Sequence, residues 1–255
     1  MRISRSIQLF PESGLVHQYW RCHNRENYLF PTQIKDMYFK CCSDALMATN
    51  KEKRNLVIHA FCIMSNHFHA MFTYFNGSIS LSNFSRRAHG RFGAKYNKYN
   101  KRSGKVAEGR PKTPLVESKT HEMRVQFYIE ANPIRANMCT LSGLKSYKYC
   151  SYAYYAYGIK NELTNILTPP DWYVSLGRTP KDRQKKYRKL FMRYLARQVK
   201  TPRVFFGLYI GTAEWIAEKK VTVRQLKYER SLQRKALLYL LNESIGKSRP
   251  PPGLS

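Results

Sequence analysis

Two histidines stand one residue apart in MSNHFHAMF (residues 64–72), in a chain that has only seven. On a strand, residues i and i+2 project from the same face, so His67 and His69 stand side by side while Phe68 turns into the opposite layer. Two imidazoles in that posture can share one metal ion. The spacing alone describes two surface histidines on a half-exposed strand equally well. A second pairing occurs in FYIEAN, where Tyr128 and Asn132 are four apart in a helical stretch. They share a helix face, from which a phenol and a carboxamide reach the same point.

The charge says what such a site would meet. The 255 residues include 45 Lys and Arg against 16 Asp and Glu, a formal charge of +29. That excess exceeds what solubility requires and points to a polyanion, most commonly nucleic acid. Arg86, Arg87, Arg91, Lys95 and Lys98 on one predicted helix, with Arg110 and Lys112 after it, can line a phosphate track. The N-terminal stretch has no apolar signal region and no segment reaches the roughly 18 apolar residues of a membrane span, so a cytoplasmic protein without membrane contact is expected. Six cysteines without a CxxC pair argue for reduced, buried thiols, against a zinc ribbon or a disulfide framework.

The elements that must position these residues follow from periodicity. Residues 15–22, 55–64 and 67–74 read as strands, the last two as a hairpin, and residues 32–47 as a helix behind Pro31. Residues 80–101 form a helix with serines suited to capping and Leu81, Phe84, Ala88, Phe92 and Tyr96 on one side. Short strands are expected near 105–110 and 114–117, then a helix over 118–132 capped by Ser118 or Thr120. The order implies an α+β fold with a mostly antiparallel sheet, compatible with a ferredoxin-like core carrying helices packed on it. The composition shifts near residue 146. The expected division is a domain over 1–150 and a basic, mostly helical extension over 151–255, with a disordered tail near 248–255. The six tyrosines between Tyr147 and Tyr157 suit base stacking or packing against the sheet.

MSNHFHAMF resembles the HUH signature of the Y1 transposases of the IS200/IS605 type, and YIEANPIRANM resembles the tyrosine helix of their REP-associated branch. YWRCHNRENYLF, TPLVES and YKYCSYAYYAYG support the match, which spans about residues 10–160. The resemblance implies a metal-dependent single-stranded DNA endonuclease and strand transferase. Tyr128 would be the nucleophile, forming a 5′-phosphotyrosine intermediate beside a palindromic REP-type hairpin. His67 and His69 would be ligands of Mg²⁺ or Mn²⁺, and Asn132 the third. Insertion-sequence relatives carry Gln where this chain has the shorter Asn132, and a residue before Pro133 is also a natural helix terminus. The family works as monomers or homodimers. Two other readings compete: a non-catalytic hairpin or nucleic-acid-binding protein retaining the fold, and a two-histidine phosphoesterase. The latter needs two H-x-S/T motifs, and HFHA offers neither the hydroxyl nor a second copy.

Overall fold

The computed structural model describes residues 10–51, 53, 55–117, 121–197 and 207–247. Strand β1 (Gly14–Arg21) leads to helix α1 (Thr32–Thr49), the hairpin β2 (Leu56–Ile63) and β3 (His67–Tyr74), helix α2 (Ile79–Tyr99) and the short β4 (Leu115–Val116). Along the chain these elements run β-α-β-β-α-β, and in space the strands run β2-β3-β1-β4 with neighbours antiparallel, the α+β arrangement with a mostly antiparallel sheet expected from the sequence. A further strand, β5 (Tyr209–Ile210), adds to β4 in parallel. After β4 come α3 (Glu122–Glu130), α4 (Asn132–Arg135), α5 (Leu141–Leu144), α6 (Tyr152–Tyr157), α7 (Asp171–Val174), α8 (Pro180–Arg197) and α9 (Ala213–Lys247). No described helix is long and apolar enough to cross a membrane.

Alternation along β1 and β3 gives the sheet two different faces. Gln18 donates from Nε2 to Ser85 Oγ on α2 (3.1 Å), Trp20 packs on Tyr38 of α1, and Phe72 meets Phe84 at 5.0 Å between ring centres. The helical spacing of Leu81, Phe84, Ala88, Phe92 and Tyr96 buries that face of α2. The opposite parity, His17, Tyr19, His67 and His69, faces the other layer, where α3 lies against β2 and β3.

Several local expectations change. Ser78 occupies the N-cap of α2 without a side-chain bond to the helix, and Ser80 Oγ instead donates back to Phe75 O and Gly77 O. Of the strand expected at 105–110, only an isolated bridge from Ala107 to Cys22 forms. Ser118 and Thr120 lie outside the described residues, and α3 starts behind His121, with no side-chain cap.

Residues Phe10–Gly211 form one compact unit. Residues 149–151 line the free edge of β2: Ile63 N donates to Tyr149 O and Ser151 N to Phe61 O. Tyr152 and Tyr155 of α6 are fully buried, and Tyr155 Oη donates to His59 O at 2.6 Å, so these tyrosines pack rather than form an open platform. On α8, Tyr187, Phe191 and Tyr194 are spaced at i, i+4 and i+7 and surround Phe127 of α3. The second unit, described over 212–247, is mostly α9, and the tail near 248–255 lies outside the described residues.

Glu130 ties α3 to this added layer. Its buried carboxylate accepts from Ser151 Oγ (2.6 Å), Gln126 Nε2 (3.3 Å) and the Tyr187 hydroxyl. Burial nonetheless outweighs these donors and pushes its pKa up to about 7. Between about pH 4.5 and 7 the native state therefore holds a proton the unfolded chain has lost, and stability falls as pH rises through that window. The full effect is about 3 kcal/mol. Glu130→Gln is expected to flatten this decline, read as the difference in melting temperature between pH 5 and pH 7.5. An unchanged slope would reject Glu130 as its source.

Candidate active site

The hairpin turn fixes the first histidine. Met64 N donates to His67 O, and Cys22 N to Asn66 O, both at 2.8 Å. Asn66 Nδ2 donates to Arg25 O (3.0 Å), which orients its amide so that Oδ1 faces His67 Nδ1 at 2.6 Å. An acceptor at Nδ1 means that nitrogen carries the hydrogen, leaving the Nε2 lone pair free. The His67 and His69 rings lie 4.9 Å apart and nearly perpendicular, at 88°. His69 is buried and its Nδ1 lies 2.8 Å from Nε2 of His17, a β1 residue.

Burial keeps these rings neutral. It lowers His67 to about 4, with Arg21 adding to the effect, takes His17 down to about 3, and drives His69 well below its ordinary value. Neutral imidazole is the form that donates a lone pair to a metal.

Tyr128 of α3 completes the cluster. Its ring meets both His17 and His69 edge-on, each at 5.7 Å. Burial raises its phenol, while Arg135 and then Arg21 pull it back. The Arg135 guanidinium sits 4.9 Å from the ring centre. Tyr19, also on this face, lies 5.6 Å from His69, and burial above all pushes its phenol up to about 12.

Asn132 has a structural task. Pro133 has no N–H for the carbonyl of Ile129, and Asn132 Nδ2 supplies a donor there (3.2 Å) as well as to Tyr128 O (2.9 Å). Among the described residues no hydrogen bond reaches its Oδ1, the atom of the side chain able to ligate. Among the described residues no group of three or more His, Cys, Asp or Glu is arranged to hold a metal. By donor type, two imidazoles and an amide oxygen suit a divalent ion that keeps open positions, not a closed four-ligand zinc site.

The basic residues divide between layers. Arg86, Arg87, Arg91, Lys95 and Lys98 belong to α2, on the side of the sheet away from the histidines, and all but the half-buried Arg87 are exposed. Arg110 and Lys112 are exposed in the segment beside β1, where Lys112 Nζ lies 5.7 Å from the Tyr19 ring centre. Of these seven, Lys112 is the one seen against a side chain of the histidine face. The residues that do bring charge and order to the site are Arg21, opposite His67 in the strand register, Arg135, Asn66 and His17. Arg135 is seven residues beyond Tyr128, a helical repeat that could have singled it out.

No protein-family model and no curated protein matches the chain. Among solved structures it is similar to a REP-associated tyrosine transposase bound to a REP hairpin, at 15% identity over 63% of this chain and 89% of that one, with a TM-score of 0.49. It is also similar to a transposase-like protein of Deinococcus radiodurans, at 14% identity over 51% of this chain and 96% of the other, with a TM-score of 0.33. Similarities of this size carry no functional argument, and the residues must carry it themselves.

Proposed function

We propose that the chain is a Y1-type, metal-dependent enzyme that nicks and rejoins single-stranded DNA beside a hairpin. The observation that carries this reading is the meeting of the two motifs: the Tyr128 ring lies edge-on to His69, 5.7 Å away, although the residues are far apart in sequence. The hairpin substrate comes from the family resemblance of those motifs alone.

In this reading Tyr128 Oη attacks a backbone phosphorus in line with its bond to the 3′ oxygen. The P–O3′ bond breaks and the 5′ phosphate stays esterified to Tyr128; the phenol's proton passes to solvent, and solvent returns one to the departing 3′ oxygen, which leaves as a hydroxyl. Attack by a 3′-OH on that ester reverses the step and joins strands. A divalent ion, Mg²⁺ or Mn²⁺, held by Nε2 of His67 and His69 with Oδ1 of Asn132, would polarise the phosphate and stabilise the departing oxygen. Arg21 and Arg135 supply fixed positive charge beside the phenol, without an acidic partner among the described residues.

A 3′-labelled hairpin oligonucleotide with a single-stranded flank, incubated with the protein and Mn²⁺, is expected to give a labelled protein adduct on a denaturing gel. Retention of the substrate without an adduct, at saturating protein, would favour the second reading, a nucleic-acid-binding protein that acts through the basic surface of α2. Arg135→Gln is expected to slow single-turnover adduct formation by about 10- to 100-fold, the worth of a charge-assisted phosphate contact. An unchanged rate would remove Arg135 from the phosphate site.

A further inference from the structure

The structure assigns to His17 a role the sequence motifs do not contain: it is the positioning residue that holds His69 in the tautomer whose Nε2 lone pair faces the site. This inference rests on the metal-ligand reading of His69. His17 is completely buried on β1, two residues from Tyr19, the strand partner of His69. The two imidazoles stack with centres 5.0 Å apart and planes 20° from parallel, and Nε2 of His17 lies 2.8 Å from Nδ1 of His69. One hydrogen must lie between these nitrogens. If it belongs to His69, Nδ1 is the donor and Nε2 is left as a lone pair; if it belongs to His17, His69 presents an N–H and cannot ligate.

One further observation favours the first arrangement, and a second gives its cost. His67 is already held as the Nδ1–H tautomer by a fixed acceptor, Asn66 Oδ1, so the two histidines would present matching Nε2 donors. His17 Nδ1 is buried and, among the described residues, has no hydrogen-bond partner; the first arrangement puts the His17 hydrogen on that nitrogen, so holding the His69 tautomer costs stability at a core position. A polar residue that costs stability and touches a candidate ligand through its other nitrogen is the arrangement by which outer groups orient metal-binding histidines. Nδ1 of His17 is enclosed and Nε2 is engaged, so His17 is not itself a ligand.

Nitrogen-15 chemical shifts of the histidine-labelled full chain without metal test this directly, since they distinguish N–H from bare ring nitrogens. His69 is expected to carry its hydrogen on Nδ1. Titration with Mn²⁺, followed by the loss of free-ion paramagnetic resonance signal, is expected to show affinity weakened about 10- to 100-fold in His17→Phe. His17→Gln, whose amide oxygen can accept from Nδ1–H, should restore most of it. An Nε2–H tautomer in the wild-type protein overturns the proposal and needs no variant, so it stands even if His17→Phe fails to fold. Unaltered Mn²⁺ affinity in a folded His17→Phe overturns it as well. Absence of Mn²⁺ binding by a wild-type protein whose His69 carries Nδ1–H would instead overturn the metal reading and leave the tautomer assignment in place.

Discussion

Truncation after Thr179 will unfold the remaining chain and will not release a free-standing domain. Such a cut removes α8, and with it Tyr187 and Phe191, which are fully buried, and Tyr194, all packed around Phe127. Loss of one buried aromatic side chain costs about 3–5 kcal/mol, and a whole domain is stable by only about 5–15 kcal/mol. The cut also strips the Tyr187 hydroxyl from the buried Glu130 carboxylate and exposes Trp172, which stacks on Tyr187. Circular dichroism of residues 1–179 should show no cooperative melt; a transition near that of the full chain would mean that α8 is peripheral. It follows that a DNA-binding role for the basic side of α8 cannot be read from a deletion. Charge reversal at the exposed Lys181, Lys185 and Lys189 leaves the aromatic side intact and is the usable experiment.

The same helix shows what limits reading this chain from its sequence. In α8, Lys and Arg outnumber the apolar residues, and the abundance of charge reads as a solvated appendage. The buried stripe is three aromatic residues wide, and its partner, Phe127, is some sixty residues away. By contrast β1, β2, β3, α1 and α2 lie within two residues of their expected bounds, because alternation and the helical repeat are local signals that burial on one face enforces. The histidine pair was legible for the same reason. His17, Arg21 and Tyr19 were not, although their strand was recognised. Their place beside His69 depends on the register Tyr19↔His69 and Arg21↔His67, a pairing between distant segments that no local pattern encodes. Helical spacing likewise shows that α2 has a basic side, but not which face of the sheet α2 covers.

Tyr128→Phe will abolish the covalent adduct while leaving the fold in place. Phenylalanine keeps the ring that meets His17 and His69 edge-on and lies under Arg135, so the cost to stability should not exceed about 1 kcal/mol for a lost hydroxyl. The chemistry has no such reserve. Without Oη there is no ester to form, and loss of an activated nucleophile lowers rates by more than about 10³-fold. Ring distance alone does not choose this residue, since Tyr19 is as near to His69 as Tyr128 is. Electrostatics does. Arg135, 4.9 Å from the ring centre, and then Arg21 draw the Tyr128 phenol down against its burial, whereas burial above all, with Tyr128 adding to it and Arg21 opposing, holds the Tyr19 phenol up at about 12. The tyrosinate needed for attack is thus easier to reach at Tyr128. Tyr19→Phe should accordingly retain adduct formation to within about tenfold, a change of about 1.4 kcal/mol in the barrier. With 3′-labelled hairpin DNA and Mn²⁺, an adduct that survives in Tyr128→Phe and vanishes in Tyr19→Phe would move the nucleophile from α3 to β1. Loss of the adduct in Tyr128→Phe with continued release of cleaved strands would instead show water attacking the phosphate, and the tyrosine then acting only to place it.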